Sequence, residues 1–564
     1  KDLDKLDDAV KSYERAITLN PNFAEAHNNL GNVFKDSSRL DDAIINYEKA
    51  IIIRPNYTQA LINLGFGLMS LGRLNEAVIT FKKAITIKPD YAEAHNYLGN
   101  AFNILGNVKA GVKCYEKAIE INPNFAEAHN SLGNVFSNLK QRENAQICYE
   151  RAFAIKPDMD FLFGSLLNNK MNLCKWDDFS NQLTNLREKI NNNEEVIGPF
   201  SLLGLIDDPA LQRKASEIFT NYHYPHDHSL PIINHYQKHK KIRIGYFSGD
   251  FKVHPVAYLT AELYELHDRN HFEIDAFSLG KNTKDDMNLR IKEGVDRFHD
   301  VQSMSNKEIV LLARSLEIDI AVDLGGFSGN SRPKIFAMSA APIQLSYIGF
   351  LGTMGADYYD YLIADSVMIP KKNQKYYSEK IVYLPSFQVN DSTEMPPTVT
   401  LTRKEVGLPE EGFVFCCFNN TYKFTPAVFD SWARILKSVE GSVLSIYVDN
   451  KSAELNLTKE ITLRGINPLR LIFGERLKRS DYMARYRTAD LFLDTHPYNA
   501  GTTASDALRM GLPIVTLKGI SFNSREAASI LSALNLHELI TNSPEEYESL
   551  AIELASNPDK LKII

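Results

Sequence analysis

The sequence predicts an α-helical solenoid followed by an α/β region of two Rossmann-like domains, each a parallel sheet covered by helices on both faces. Three observations carry that expectation. Proline recurs at Pro21, Pro55, Pro89, Pro123 and Pro157, one every 34 residues without a slip. From Lys241 the texture changes to short apolar runs, rich in Ile, Val, Phe and Tyr, that alternate with helical stretches. A polar segment without periodicity, Ser386–Thr402 with Pro396 and Pro397, then divides those runs into two series.

A period of this length marks a tetratricopeptide array, in which each unit is a pair of antiparallel helices. Ala26, Ala60, Ala94 and Ala128 are each followed four residues on by Leu30, Leu64, Leu98 and Leu132, then by Gly31, Gly65, Gly99 and Gly133. On the second helix the sets Ala43/Tyr47/Ala50, Ala77/Phe81/Ala84 and Ala145/Tyr149/Ala152 recur, and one unit has Gly111/Tyr115/Ala118. Small residues let helices approach, the aromatic fills the gap left, and proline stops the second helix. Residues 1–20, with Ala9, Tyr13 and Ala16, read as a second helix, so Lys1 is expected not to be the natural start.

The repeats are assigned to 1–157. After Pro157 the periodicity weakens, and 158–240 is read as a degenerate repeat with linking helices that cap the solenoid: Leu162–Leu173 and Phe179–Ile190, with Trp176 between. The loop Tyr222–Asn234 carries His223, His226 and His228 but no companions that would fix a metal geometry, so no metal is expected.

Apolar runs at Ile242–Ser248, Phe272–Ser278, Ile318–Leu324, Ile343–Phe350 and Ile381–Pro385 form the first strand series. Those at Phe413–Phe418, Val443–Val448, Leu471–Phe473, Leu491–Asp494 and Ile514–Leu517 form the second. Buried runs alternating with helices imply parallel sheets, here 241–400 and 401–564, with a ligand cleft between the carboxyl ends of their strands.

Composition narrows the partners. A net charge of −7 over 564 residues suggests neither a nucleic-acid nor an anionic-membrane partner. No apolar run approaches a membrane span, and no secretory signal is visible. Cys114, Cys148, Cys174, Cys416 and Cys417 show neither pairing nor metal-ligand spacing, which fits buried thiols in a reducing, cytoplasmic setting.

Four stretches at strand ends could carry chemistry. In Asp494–Asp506, Gly501 permits a tight turn and Thr502 and Thr503 open a helix whose N–H groups and dipole suit phosphate, with Asp506 one turn further in. Lys423, after the first strand of the second series, could neutralise a leaving diphosphate. His254 precedes Pro255 after the first strand of the first series and could act as a base or a positioning donor. Gly349, Gly352 and Gly355 allow backbone to approach a ligand closely. Taken singly, these stretches equally fit a capped helix, a solvated lysine, a structural histidine and a glycine-rich turn. Their shared place at strand ends makes one site of them.

An array of this kind followed by Gly245–Pro255, Ala341–Gln344 with Gly349–Gly355, Tyr377–Lys380, Phe418–Lys423 and Asp494–Asp506 resembles the O-linked N-acetylglucosamine transferase family, which includes Spindly-type fucosyltransferases and bacterial members. The resemblance covers essentially the whole chain. It implies a GT-B fold and an inverting, metal-independent transfer of N-acetylglucosamine from UDP-GlcNAc to Ser or Thr of a protein, with no cofactor. In that frame Lys423 resembles the lysine at the donor pyrophosphate, Thr502 and Thr503 the phosphate-binding pair, Asp506 the ribose ligand and His254 the active-site histidine. Gly352, Thr353 and Asn420 join the donor-binding set, and Arg525 matches a motif arginine without an assigned role. Asn29, Asn63, Asn32, Asn100 and Asn134 resemble the family's asparagines that hold extended acceptor backbone, although Tyr97 and Ser131 interrupt the Asn29/Asn63 series.

The departures bear on the donor. Asn420 stands where the animal enzymes have glutamine and Gly501 where they have histidine. Tyr482 takes the place of a histidine that stacks on uracil, and Arg479 that of a lysine near the nucleoside. Tyr482 can still stack and Arg479 still offers donors. Asn420 and Gly501 also occur in Spindly-like members, which keeps GDP-fucose open, while Tyr422 and Asp506 lean toward the UDP-sugar. The missing insert between the catalytic halves points to a bacterial-type protein, and the family's final helix, which folds back on the first catalytic domain, is expected to be absent after Ile564. The rival readings are a catalytically inactive repeat scaffold and a transferase acting on something other than protein. A homodimer joined through the repeats is a further arrangement to test.

Overall fold

The computed structural model describes residues 3–37, 39–233, 236 and 239–564; Lys1 and Asn234 of the stretches named above lie outside the described residues. The chain divides into two compact units, Lys1–Leu162 and Phe163–Ile564.

In the first unit the second helices of the repeats run Leu3–Leu19, Leu40–Ile53, Leu74–Ile87, Val108–Ile121 and Arg142–Ile155. The first helices run Ala24–Asp36, Thr58–Ser70, Ala92–Ile104 and Ala126–Asn138. Every second helix stops two residues before its proline. The intervening Arg54, Lys88, Asn122 and Lys156 have left the helical region, with φ of −132°, −133°, −131° and −142°. Proline disfavours helical backbone in the residue before it, so the stop is written one position ahead of the proline itself.

The glycines mark where the two helices of a repeat meet. A Cβ at Gly31, Gly65, Gly99 or Gly133 would stand 2.5, 2.5, 2.6 or 2.8 Å from the ring of Tyr47, Phe81, Tyr115 or Tyr149. Those four rings are buried. Three of them carry a hydroxyl, and each donates it to the asparagine one residue after the glycine. Tyr47 reaches Asn32 Oδ1 (2.9 Å), Tyr115 reaches Asn100 (2.8 Å) and Tyr149 reaches Asn134 (2.8 Å). Where phenylalanine replaces the tyrosine, at Phe81, the asparagine position is also phenylalanine, Phe66. A hydroxyl on a buried ring left without its acceptor is costly, so the two positions change together.

The helices Leu162–Asn172, Phe179–Asn191, Pro199–Leu203 and Pro209–His223 lead into the second unit and pack within it. Asn172 O accepts from Thr421 Oγ1 (2.9 Å), Thr220 Oγ1 donates to Met354 O (2.7 Å), and Asp207 accepts the N–H groups of Ile520 and Ser521.

The first sheet holds β1 (Ile242–Ser248), β2 (Phe272–Ser278), β3 (Arg297–Asp300), β4 (Ile320–Asp323), β5 (Ile343–Ser346), β6 (Tyr361–Ala364) and β7 (Lys380–Tyr383), all parallel, in the order β3-β2-β1-β4-β5-β6-β7. The second holds β8 (Val414–Cys417), β9 (Val443–Tyr447), β10 (Leu471–Gly474), β11 (Leu491–Leu493), β12 (Ile514–Leu517) and β13 (Ile540–Thr541), also parallel, in the order β10-β9-β8-β11-β12-β13. Both are doubly wound, as expected of two Rossmann-like domains. β3, β6 and β13 were not anticipated. β3 is the polar edge segment Arg-Phe-His-Asp and β13 has two residues, so neither gives an apolar run. No described helix is long and apolar enough to cross a membrane.

Side chains also tie the two halves of this unit together. Arg525 donates from Nε to Val367 O (2.5 Å) and from Nη1 to Gly519 O (2.7 Å), and Ser529 donates to the Asp365 carboxylate. The motif arginine without a role is thus a clamp between the halves.

Candidate nucleotide-sugar site

In each sheet the strand order reverses beside its first strand, between β1 and β4 and between β8 and β11. Crevices at such points are where open α/β sheets bind ligands. His254 lies in the loop after β1, Lys423 in the loop after β8, and Asp494–Thr503 after β11.

Lys423 is buried, at 8% exposure. Its Nζ donates to Asn499 O (2.7 Å) and sits 3.7 Å from the centre of the Tyr498 ring. Burial holds the ammonium below its usual range, while the Glu526 and Asp494 carboxylates push it back up. The lysine is therefore fixed against the loop that leads into the Thr502–Arg509 helix.

That loop is shaped by Asp494. Its carboxylate accepts from Thr516 Oγ1 (2.6 Å), Thr495 N (2.7 Å) and Ala500 N (2.8 Å), and burial raises its pKa to about 6. Gly501 follows, and no side chain caps the helix that begins at Thr502. Its leading N–H groups are thus left for an anion. Thr503 Oγ1 donates to Asn419 Oδ1 (2.5 Å), and Asn419 Nδ2 donates to Thr495 Oγ1 (2.8 Å), which links the β8 loop to the β11 loop.

Arg479 and Asp506 form a bidentate pair, Nη1 to Oδ2 at 2.8 Å and Nη2 to Oδ1 at 2.7 Å. The other edge of the guanidinium donates to Glu394 from Nε (3.2 Å) and Nη2 (3.0 Å), and its face lies 4.6 Å from the centre of the Tyr258 ring. In this structure Arg479 offers its donors to two carboxylates. With a carboxylate on each side, the fork is spent on orienting Asp506 and joining the segment before β8 to the site. Tyr482 is partly buried and its hydroxyl meets that of Tyr486 at 2.5 Å, with its ring beside Arg479.

His254 caps the Pro255–Leu266 helix: its Nδ1 accepts from Val256 N (3.3 Å) and lies 3.8 Å from Asp250 Oδ2. Burial lowers its pKa against the pull of Asp250. With Nδ1 accepting, a neutral ring carries its proton on Nε2, so the free atom donates. The same helix presents Tyr258 to Arg479, which brings the first half onto the nucleotide-binding loops of the second.

The structure corrects the assignment of Thr353. The residue is 2% exposed, its hydroxyl donates to Glu379 Oε2 (2.6 Å), and it accepts from Ser378 N (3.1 Å). Thr353 holds its own loop to the buried Glu379. Gly352 is likewise buried, against the Phe350 ring, where a Cβ would stand 2.9 Å away. Asn420 is exposed at the tip of the β8 loop.

Asn419, Asn499, Tyr498, Tyr258, Glu394 and Glu526 were missed in the sequence. Asn419 lies beside Asn420 and Asn499 two residues before Gly501, and proximity to the motif was the only available signal. Among the described residues no group of three or more His, Cys, Asp or Glu converges as metal ligands do. An apolar cavity of about 250 Å³, lined by Leu183, Leu205, Val428, Pro497 and Tyr547, lies behind the Asp494 loop.

Of the five asparagines expected to hold an acceptor, Asn32, Asn100 and Asn134 are engaged through their carbonyl oxygens by the tyrosine hydroxyls. That internal role explains their recurrence without a ligand. Asn63 donates to Asn28 Oδ1 (2.9 Å) and Asn32 Oδ1 (3.1 Å) and, with Lys35, Gln59, Phe66, Tyr91 and Tyr97, lines a groove of about 220 Å³. Asn29 accepts from Asn28 Nδ2 (3.3 Å).

This geometry coincides with a known family. Residues 213–401 and 387–564 match the family described as Glycosyl transferase family 41. The chain belongs to that family. Its first part matches tetratricopeptide repeats over 1–37, 24–57, 68–106, 99–140 and 126–159. It is 33% identical over 422 residues to a protein of Arabidopsis thaliana named probable UDP-N-acetylglucosamine–peptide N-acetylglucosaminyltransferase SEC, covering 71% of this chain and 43% of that one. A Caenorhabditis elegans UDP-N-acetylglucosamine–peptide N-acetylglucosaminyltransferase is 26% identical over 519 residues, covering 69% and 45%. The chain thus spans less than half the length of these two relatives. A rice relative, named a probable enzyme of the same kind, SPINDLY, is 31% identical over 329 residues, covering 57% and 35%. Among solved structures, a mutant of Thermobaculum terrenum O-GlcNAc transferase matches with a TM-score of 0.65 and 27% identity, over 90% of this chain and 91% of that one. A helical solenoid followed by the two sheets of a GT-B enzyme is the architecture of this chain.

Proposed function

We propose that the chain is a glycosyltransferase that moves N-acetylglucosamine from UDP-GlcNAc to Ser or Thr hydroxyls of proteins bound by its repeats, with inversion and without a metal ion. One observation carries the reading. A buried lysine is fixed against the loop whose uncapped helix start opens with two threonines, at the switch point of the second sheet. Such a lysine, placed beside that helix start, can meet negative charge brought by a ligand. The names of the Arabidopsis SEC and Caenorhabditis elegans relatives specify UDP-N-acetylglucosamine as donor and a peptide as acceptor, which favours that donor, while the SPINDLY relative keeps GDP-fucose as the second reading.

In the proposed reaction the acceptor hydroxyl attacks the anomeric carbon from the face opposite the diphosphate. The new C–O bond forms as the bond to the diphosphate breaks, and the hydroxyl proton passes to the departing diphosphate as UDP leaves. Lys423 and the N–H groups and hydroxyls of Thr502 and Thr503 stabilise the charge that develops on the leaving group, the task a metal ion performs elsewhere. Asp506, oriented by Arg479, meets the ribose diol, and Tyr482 stacks on the base. His254 acts as a donor from Nε2 that positions the reacting groups. Asn63 and the groove around it contact the acceptor chain. The five thiols form no disulfide, which fits a reducing, cytoplasmic setting.

The test is nucleotide release with UDP-GlcNAc and, in parallel, GDP-fucose, using a cell-lysate acceptor and Lys423→Ala as control. UDP release that disappears in the variant is the expected result. GDP release instead makes the chain a fucosyltransferase, and silence with both donors from folded protein makes it a scaffold.

A further inference from the structure

Beside Gly501, at the helix start, stands a group that the reading above does not use. Glu526 opens the Glu526–Ala533 helix and is 8% exposed. A Cβ on residue 501 would lie 2.0 Å from its Oε1, so any side chain larger than hydrogen at 501 would push the carboxylate aside. Gly501 has a negative φ of −108°, which other residues adopt. The glycine leaves the space that the carboxylate occupies.

No described residue donates a hydrogen bond to the Glu526 carboxylate or forms a close ion pair with it. It acts on Lys423, Tyr422 and Tyr498 through space alone. A buried carboxylate with empty acceptor positions is unfavourable unless something fills them. What fills them here is constrained by the surroundings. The lysine and helix start suit a diphosphate, and Glu526 in its ionised form, which Lys423 favours, repels phosphate oxygens, so the partner that suits it is a neutral hydrogen-bond donor attached to that diphosphate. The part of a nucleotide sugar that meets this description is the sugar ring. The wall around it, formed by the rings of Phe200, Tyr422 and Tyr498 within 6.1–6.3 Å of one another, suits a pyranose face.

We propose that Glu526, admitted by Gly501, is a donor-sugar ligand that accepts a hydrogen bond from a hydroxyl of the transferred sugar. This rests on the nucleotide-sugar reading above. Glycine at 501 and glutamate at 526 then form one specificity device: the first clears the volume that the second occupies.

The experiment measures the affinities of UDP and of UDP-GlcNAc separately, by calorimetry, for the full chain and for Glu526→Ala, Glu526→Gln and Gly501→Ala. GDP and GDP-fucose run alongside. The expected result is a loss of at least tenfold in affinity for the nucleotide sugar in Glu526→Ala and Gly501→Ala, with the matching free nucleotide changed less than twofold. Glu526→Gln, which keeps one acceptor oxygen, falls between. Equal losses for nucleotide and nucleotide sugar would mean that Glu526 acts only through Lys423 and would overturn the proposal, as would unchanged affinity for both. Gly501→Ala makes the same demand without altering the carboxylate, should the Glu526 variants fail to fold. A wild-type chain that binds neither nucleotide sugar would instead overturn the donor reading itself, a result distinct from either failure.

Discussion

The repeats and the β8–β11 loops both bury polar groups, and they treat them in opposite ways. In the repeats the buried tyrosines Tyr47, Tyr115 and Tyr149 each find an asparagine oxygen of their own unit, and the pairing returns in register with the 34-residue period wherever both residues are present. At the β8–β11 loops the buried groups are charged, occur once, and are partly unanswered: Lys423 has a carbonyl and a ring, and Glu526 has no hydrogen bond from the described residues. Neutral satisfied pairs hold a structure in one state, whereas unsatisfied charges store an affinity that only a ligand releases. A substitution in the repeats should therefore lower stability, and one at the loops should lower activity.

The largest effect expected from this contrast is at Lys423. Lys423→Ala should reduce turnover by about 10²–10³-fold, the usual loss when one preorganised charge-stabilising group is removed. Its thermal midpoint should stay within a few degrees of wild type. Turnover and melting measured on the same preparation decide it, and an unfolded variant would break the contrast.

Glu526 gives the next effect, in stability and of the opposite sign. Burial raises its pKa from 4.5 to about 7, with Lys423 pulling it down and Asp494 pushing it up. Between those values the folded chain keeps a proton that the unfolded chain has released, so stability falls as pH rises through that window. The fall amounts to a few kcal/mol, on the order of 1.4 kcal/mol for each pH unit that separates the two values. Glu526→Gln should remove it, so the variant gains on wild type between pH 5 and pH 8 in denaturant titrations. Parallel profiles would show that Glu526 is not held protonated by its surroundings.

In the repeats, Gly65→Ala places a methyl 2.5 Å from the buried Phe81 ring. It should cost about 1–3 kcal/mol, as overpacking of a filled core does. Donor affinity, read by calorimetry, should not change. Loss of donor binding in this variant would blur the line between the two regions.

The smallest effect tests the pairing rule. Phe81→Tyr alone buries a hydroxyl opposite Phe66 and should destabilise, as should Phe66→Asn alone. The double variant should recover about 1 kcal/mol through the new hydrogen bond. Additive losses in a double-mutant cycle would show that the asparagines recur for another reason, such as acceptor binding.

The sequence by itself determined the elements and their order. A repeat of 34 residues and apolar runs closed by Gly, Asp or Pro are local signals, because helix stops and buried strands are decided within a few residues of chain. They placed Lys423, Thr502, Thr503 and His254 at strand ends, and the structure keeps them there. The polar edge strand β3 and the two-residue β13 escaped, since edge pairing needs a neighbour more than an apolar run. What only the tertiary structure decided is which side chain answers which. Arg479 lies between Asp506 and Glu394, Thr353 turns inward to Glu379, Asn499 O receives Lys423 from 76 residues away, and Glu526 fills the space that Gly501 leaves. Each of these partnerships joins residues brought together by sheet packing rather than by spacing along the chain. The distance at which a carboxylate meets an arginine, a lysine or an empty volume is set by the fold as a whole.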